Sequence, residues 1–171
     1  KYRGNPTLGE EKTRIAQTGK VFSEMTLEKL ISQFHPQFRN RFASFFTEMD
    51  EKYKGYTIKI NSIQRDLETS QDLKKENPNN ADPGYSRHNY NTAVDFNVIT
   101  SDGKELKKSV NRNDWINHGF NKLAAKHNLD WGGNFDTYND YVHFAATDYD
   151  VSKSITEFNS GKDVNSITLK T

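Results

Sequence analysis

The chain is predicted to be an α+β domain, a small and mostly antiparallel sheet flanked by helices. Apolar residues at helical spacing dominate residues 27–53, period-2 alternation marks the later strands, and long polar loops and short helices separate those strands. The 12% of Phe, Tyr and Trp supplies core volume that a hydrophobic fraction of 33% would otherwise lack.

Taken in order, residues 1–20 are polar and carry Gly4, Pro6, Gly9 and Gly19, which reads as an arm. Leu27, Leu30, Ile31 and Phe34 follow helical spacing behind Thr26 as N-cap. Pro36 suits a first helical position, and Phe38, Phe42, Phe45, Phe46, Met49 and Tyr53 form a core stripe behind it. Tyr56, Ile58 and Ile60 alternate with polar residues as a half-buried strand does. A short polar helix over 66–76 leads to the turn-rich loop 77–84, either a passive connector or the rim of a cleft. A second strand runs through 92–99, with Val94, Phe96 and Val98 on one face and Ala93, Asp95 and Asn97 on the other. Asn113 or Asp114 caps a helix with core face Ile116, Phe120, Leu123 and Ala124. Trp131-Gly132-Gly133 turns the chain, with the indole packed in the core, toward a third strand at 141–146. A last helix carries Val151, Ile155 and Phe158. The divisions expected are an arm at 1–20, one domain over 21–160 and a polar tail at 161–171.

Composition excludes several functions. The 24 basic residues balance 23 acidic ones and are scattered, so no field draws the chain to nucleic acid. No stretch approaches the roughly 20 apolar residues of a membrane helix. There is no cysteine, which removes disulfides, thiolate metal sites and a cysteine nucleophile. At 171 residues the chain suits one domain, and its mean hydropathy is −0.96. Residues 1–20 lack the apolar core of a secretion signal, and opening on Lys1 rather than Met fits a processed protein or a piece of a longer one.

Chemistry concentrates in Ser86-Arg87-His88, Ala93-Val94-Asp95 and Asp140-Tyr141-Val142-His143-Phe144. His88, Asp95 and His143 offer two imidazoles and a carboxylate, a donor set suited to catalytic zinc, which keeps a fourth position for water. Asp95 and His143 fall on the solvent face of their strands, opposite apolar faces. Asp140, three residues before His143, is placed as the proton acceptor that a metal-activated water needs, or as a partner fixing a ligand histidine. Arg65, just past the first strand, is a candidate to stabilise an oxyanion or grip a substrate carboxylate; the bland alternative is an ion pair with Asp66 or Glu68. Ser86 is either near the substrate or a turn residue. His35, His118 and His127 read as structural.

These residues carry a resemblance. Ser86-x-His88-x6-Asp95, Trp131-Gly132-Gly133 and Asp140-x-x-His143-Phe144 resemble the zinc D-Ala-D-Ala carboxypeptidase and L-alanyl-D-glutamate endopeptidase family of cell-wall peptidases, which includes phage endolysins. The resemblance spans roughly residues 56–147. It implies a Hedgehog/D-Ala-D-Ala-peptidase fold, zinc on His88, Asp95 and His143, Asp140 as general base, and Arg65 and Ser86 facing substrate. The family usually has Gly where this chain has Asn91, a residue that tolerates a left-handed backbone, so the turn is expected to persist. Its Gly-aromatic-Arg-Ser approach to the arginine is here Ile63-Gln64-Arg65-Asp66. An aspartate base resembles the endopeptidase branch, so the expected reaction is hydrolysis of L-Ala-D-Glu in a peptidoglycan stem peptide. The alternatives are a D-Ala-D-Ala carboxypeptidase or dipeptidase, and a non-catalytic wall- or partner-binding module with a structural zinc. The implied substrate places the protein in the periplasm or outside the cell.

Overall fold

The structure, a computed structural model, describes residues 26–136 and 138–171 and the backbone of 14–17. Most of the arm expected over 1–20 lies outside the described residues. Its Arg14–Gln17 segment forms a strand, β1, that runs parallel to β2 (Thr57–Ser62). The sheet continues through β3 (Ala93–Ile99), β6 (His143–Ala145) and β5 (Asp130–Trp131), all antiparallel, and β4 (Glu105–Leu106) pairs with the far end of β3. The sheet is thus mostly antiparallel, with one parallel edge.

Helix α1 (Leu27–Ile31) starts at Thr26, whose hydroxyl accepts from Lys29 N. One 3-10 turn over Pro36–Phe38 then feeds α2 (Arg39–Lys52). Phe42, Phe45, Phe46 and Met49 on α2 are buried, and Phe45 meets Phe96 of β3 and Phe144 of β6 at 6.3 and 5.7 Å between ring centroids. Phe96 and Phe144 stack at 4.6 Å, only 2° from parallel. One face of β3 and β6 is therefore sealed by aromatics, at roughly 1.5–3 kcal/mol for each ring removed from water. Their other face remains open to a cleft. The polar helix α3 (Leu67–Glu76) is capped by Asp66, which accepts from Thr69 N.

The helix expected behind Asn113 or Asp114 differs in detail. It starts at Asn111 and divides into α4 (Arg112–Asn117) and α5 (Phe120–Lys126) around Gly119, whose φ of +82° suits glycine. The break turns Trp115, rather than Ile116, fully into the core. A 3-10 turn at Val151–Lys153 and helix α6 (Ile155–Asn159) follow. The polar tail docks as well: Ile167 and Leu169 are buried, and Gln37 Oε1 accepts from Leu169 N at 2.7 Å. Two apolar side chains two residues apart suffice to anchor it, a spacing too short to register as a periodic pattern. Among the described residues no helix is long and apolar enough to cross a membrane.

Candidate active site

Register places the first pair of residues. Alternation along β3 and β6 puts Asp95 directly across from His143 and Ala93 across from Ala145, on the face away from the aromatic core. His143 Nδ1 lies 2.8 Å from Asp95 Oδ1.

His88 arrives from outside the sheet, on a single 3-10 turn over Arg87–Tyr90. Ser86 caps that turn, accepting from His88 N at 3.2 Å. Asn91 ends it in the left-handed conformation, φ 59° and ψ 37°, as expected of an asparagine standing where glycine is usual. Between Ile60 and Ser62 the β2–β3 register shifts by a bulge, which bends the end of β2 toward the site. Ile63 O then meets His88 Nδ1 at 3.0 Å. A carbonyl only accepts, so Nδ1 carries the proton and Nε2 presents a lone pair. That lone pair faces Asp95 Oδ1 at 3.1 Å.

Two such atoms stand this close only with a proton or a metal ion between them. The donor atoms of His88, Asp95 and His143 lie within 4.8 Å of one another. Ligands at ~2.0–2.1 Å from a tetrahedral zinc would stand ~3.3 Å apart, so these residues fit such an ion with little rearrangement. Burial pushes the Asp95 carboxyl up, but hydrogen bonds from His143 and His88 outweigh it and hold the group well below the usual carboxylate range. The triad is ready to bind positive charge.

Asp140 stands beside it. Its backbone carbonyl accepts from His143 N at 3.1 Å, and its N–H donates to Gly132 O at 3.0 Å. Gly132 is required by close approach, since a methyl there would overlap the Asp140 carbonyl. Gly133 fits under the Trp131 ring in the same way, and the indole, 1% exposed, is core as expected. Burial, then the charge of Asp95, raises the Asp140 carboxyl above its ordinary value, against the pull of His143 and Lys108. Lys108 Nζ is 3.9 Å from Asp140 Oδ1.

Arg65 Nη1 lies 3.4 Å from Ser86 Oγ, and its backbone N–H donates to His88 O. The bland ion pair does not form: Asp66 is occupied as the α3 cap, and among the described residues no acid lies within ion-pair distance of Arg65. Arg65, Ser86, His88, Asp95, Asp140 and His143 all line one cleft of about 820 Å³, and Asn77, Asn79 and Asn80 give the turn-rich loop the part of a rim. The other histidines are structural. His35 Nε2 donates to Ile167 O, His118 Nδ1 meets Tyr56 OH, and His127 Nε2 meets Glu48.

Sequence reasoning passes over Asn89, Arg87, Lys108 and Tyr138. Asn89 is 1% exposed, and its amide joins Gly84 N, Ser86 N, Arg65 O and Ser70 Oγ. Tyr85 and Tyr138 are the exposed large aromatics among the described residues, and both line the cleft. Only the position of Asn89 and Arg87 on either side of His88 in the sequence points to them.

Residues 79–146 match a family model described as D-alanyl-D-alanine carboxypeptidase. The matched span contains Ser86, His88, Asp95, Asp140 and His143, and leaves Arg65 outside. Among solved structures the chain is similar in fold to Serratia marcescens L-Ala D-Glu endopeptidase ChiX, at 18% identity and a TM-score of 0.50, over 70% of this chain and 85% of that one. That likeness is of the Hedgehog/D-Ala-D-Ala-peptidase fold. The segment that carries the motif residues thus matches the D-alanyl-D-alanine carboxypeptidase family model, and the fold is similar to that of a known endopeptidase.

Proposed function

We propose that the protein is a zinc metallopeptidase that hydrolyses a peptide bond in peptidoglycan stem peptides, L-Ala-D-Glu in particular, in the periplasm or outside the cell. The observation that carries this reading is the convergence of the His88, Asp95 and His143 donor atoms beside the half-buried Asp140 carboxyl in one polar cleft. A zinc ion held by those three residues would acidify its water to a pKa of roughly 7 and polarise the scissile carbonyl.

The chain's own groups do the rest. Asp140, with its raised proton affinity, accepts the proton of the attacking water and passes it to the leaving amine. Asp95, held ionised between two imidazoles, keeps the ligand set anionic. The Ile63 carbonyl locks the His88 tautomer that leaves Nε2 free to bind a metal. Arg65, steadied by Ser86, is positioned to bind the developing oxyanion or a substrate carboxylate.

A second reading, a D-Ala-D-Ala carboxypeptidase or dipeptidase, is favoured by the description of the matching family model. Mass spectrometry of products from a defined pentapeptide muropeptide, with and without chelator, separates the two. Cleavage after L-Ala supports the endopeptidase, release of free D-Ala supports the carboxypeptidase, and no chelator-sensitive product rejects both. Asp140→Ala is expected to bind zinc with turnover reduced at least 100-fold, and His143→Ala to lose zinc and turnover together. Full activity in Asp140→Ala would remove the base assignment.

A further inference from the structure

The arginines differ in how they use their guanidinium groups. Arg39 donates to Phe34 O and Ser32 O, Arg41 makes a two-pronged pair with Asp148, and Arg112 bonds Gly133 O and Asn134. Arg87 lines the cleft next to His88, yet among the described residues it meets no carboxylate within ion-pair distance. Its Nε is buried without a hydrogen-bond partner. Asp150, the acid whose carboxyl feels the charge of Arg87, is occupied by Ser152 N and Oγ.

The side chain is nevertheless held in place. Its guanidinium lies 4.9 Å from the centre of the Tyr149 ring. The Tyr149 hydroxyl is bonded to Thr92 Oγ1, and the Arg87 carbonyl accepts from both Thr92 N and Thr92 Oγ1. Stacking explains why the arginine stays put. It does not explain why the buried Nε is left without an acceptor in a side chain that lines a cleft, an arrangement that costs free energy until an acceptor arrives. A guanidinium matches a carboxylate through two parallel hydrogen bonds. Arg65 and Lys108 line the same cleft, so its cationic side chains outnumber Asp95 and Asp140 even before a metal binds.

We propose that Arg87 is a specificity residue that binds a free carboxylate on the substrate residue following the scissile bond. This rests on the peptidase reading above. In a stem peptide whose D-Glu continues through its γ-carboxyl, the α-carboxylate stands on the carbon that bears the leaving nitrogen. The cleft then selects stems carrying that acid over stems in which it is converted to the carboxamide.

The test compares two synthetic muropeptides that differ only in α-carboxylate against α-carboxamide at D-Glu, cleaved by zinc-loaded wild type, Arg87→Gln and Arg87→Lys. Wild type is expected to prefer the acid by roughly tenfold or more in kcat/KM, chiefly through KM. Arg87→Gln should abolish the preference by slowing the acid far more than the amide, and Arg87→Lys should retain a smaller part of it. Metal content and melting temperature verify the fold. If Arg87→Gln does not melt cooperatively, Arg87→Lys decides, since an undiminished preference there overturns the assignment. Equal wild-type rates, or a preference that survives Arg87→Gln, overturn it while leaving the peptidase reading intact. Cleavage of neither peptide overturns both.

Discussion

Replacing Asn89 by alanine tests whether one buried amide holds the walls of the cleft together. Its Oδ1 accepts from Gly84 N at 3.1 Å and Ser86 N at 3.2 Å, and its Nδ2 donates to Arg65 O at 2.9 Å and Ser70 Oγ at 2.8 Å. Every hydrogen-bonding position of the amide is used. Those partners belong to the segment before His88, the segment carrying Arg65, and α3. Each buried group left unmatched costs about 1–3 kcal/mol. If water reaches two of the four, the remaining pair gives a loss of about 4 kcal/mol, a large share of a typical 5–15 kcal/mol total. Urea denaturation of the metal-free protein reads this as a lower midpoint at unchanged slope. Because the same network seats the turn that carries His88, zinc affinity should also fall about tenfold. A loss under about 1 kcal/mol with unchanged zinc affinity would refute the claim that Asn89 organises the site.

Three other outcomes follow from the geometry. Gly132→Ala should displace the Asp140 carbonyl, which also accepts from His143 N, and reduce turnover at least tenfold; steady-state kinetics with metal analysis checks this, and unchanged turnover would refute it. His35 is held below its ordinary value of 6.5, first by burial and then by the charge of Arg39, against the Ile167 and Val164 carbonyls and Asp163. Its Nδ1 accepts from Gln37 N, so protonation breaks that bond, and the unfolded chain binds the proton more readily. The stabilisation is therefore complete above 6.5 and lost as pH falls below it; His35→Gln should flatten that slope in denaturation measured against pH, and an unchanged slope would refute it. Zinc should raise stability, by about 2.7 kcal/mol at free metal 100-fold above its Kd, and chelator should remove that gain in a thermal melt.

The aromatic stripe of α2, the alternation of β2 and β3 and the turn-rich loop before Ser86 are legible in the sequence because each is a local pattern long enough to repeat. The strands β1, β4 and β5 are not, since two to four residues cannot display a period. Gly119 splits one expected helix into two and brings Trp115 inward, an outcome decided by packing against Phe96 and Phe120 rather than by helical spacing.

The same division runs through the cleft. Residue type and spacing alone single out His88, Asp95, His143 and Asp140, because a metal site needs those donors and the strands present them at period two. The fold alone decides that Asp95 faces His143 in register, that a bulge brings Ile63 O to His88, and that Asn89 ties Arg65 to Ser86. It also leaves Arg87 stacked on Tyr149 with its Nε unpartnered. These are pairings between residues tens of positions apart, set by strand register and by the need to satisfy buried polar groups, neither of which a local pattern records.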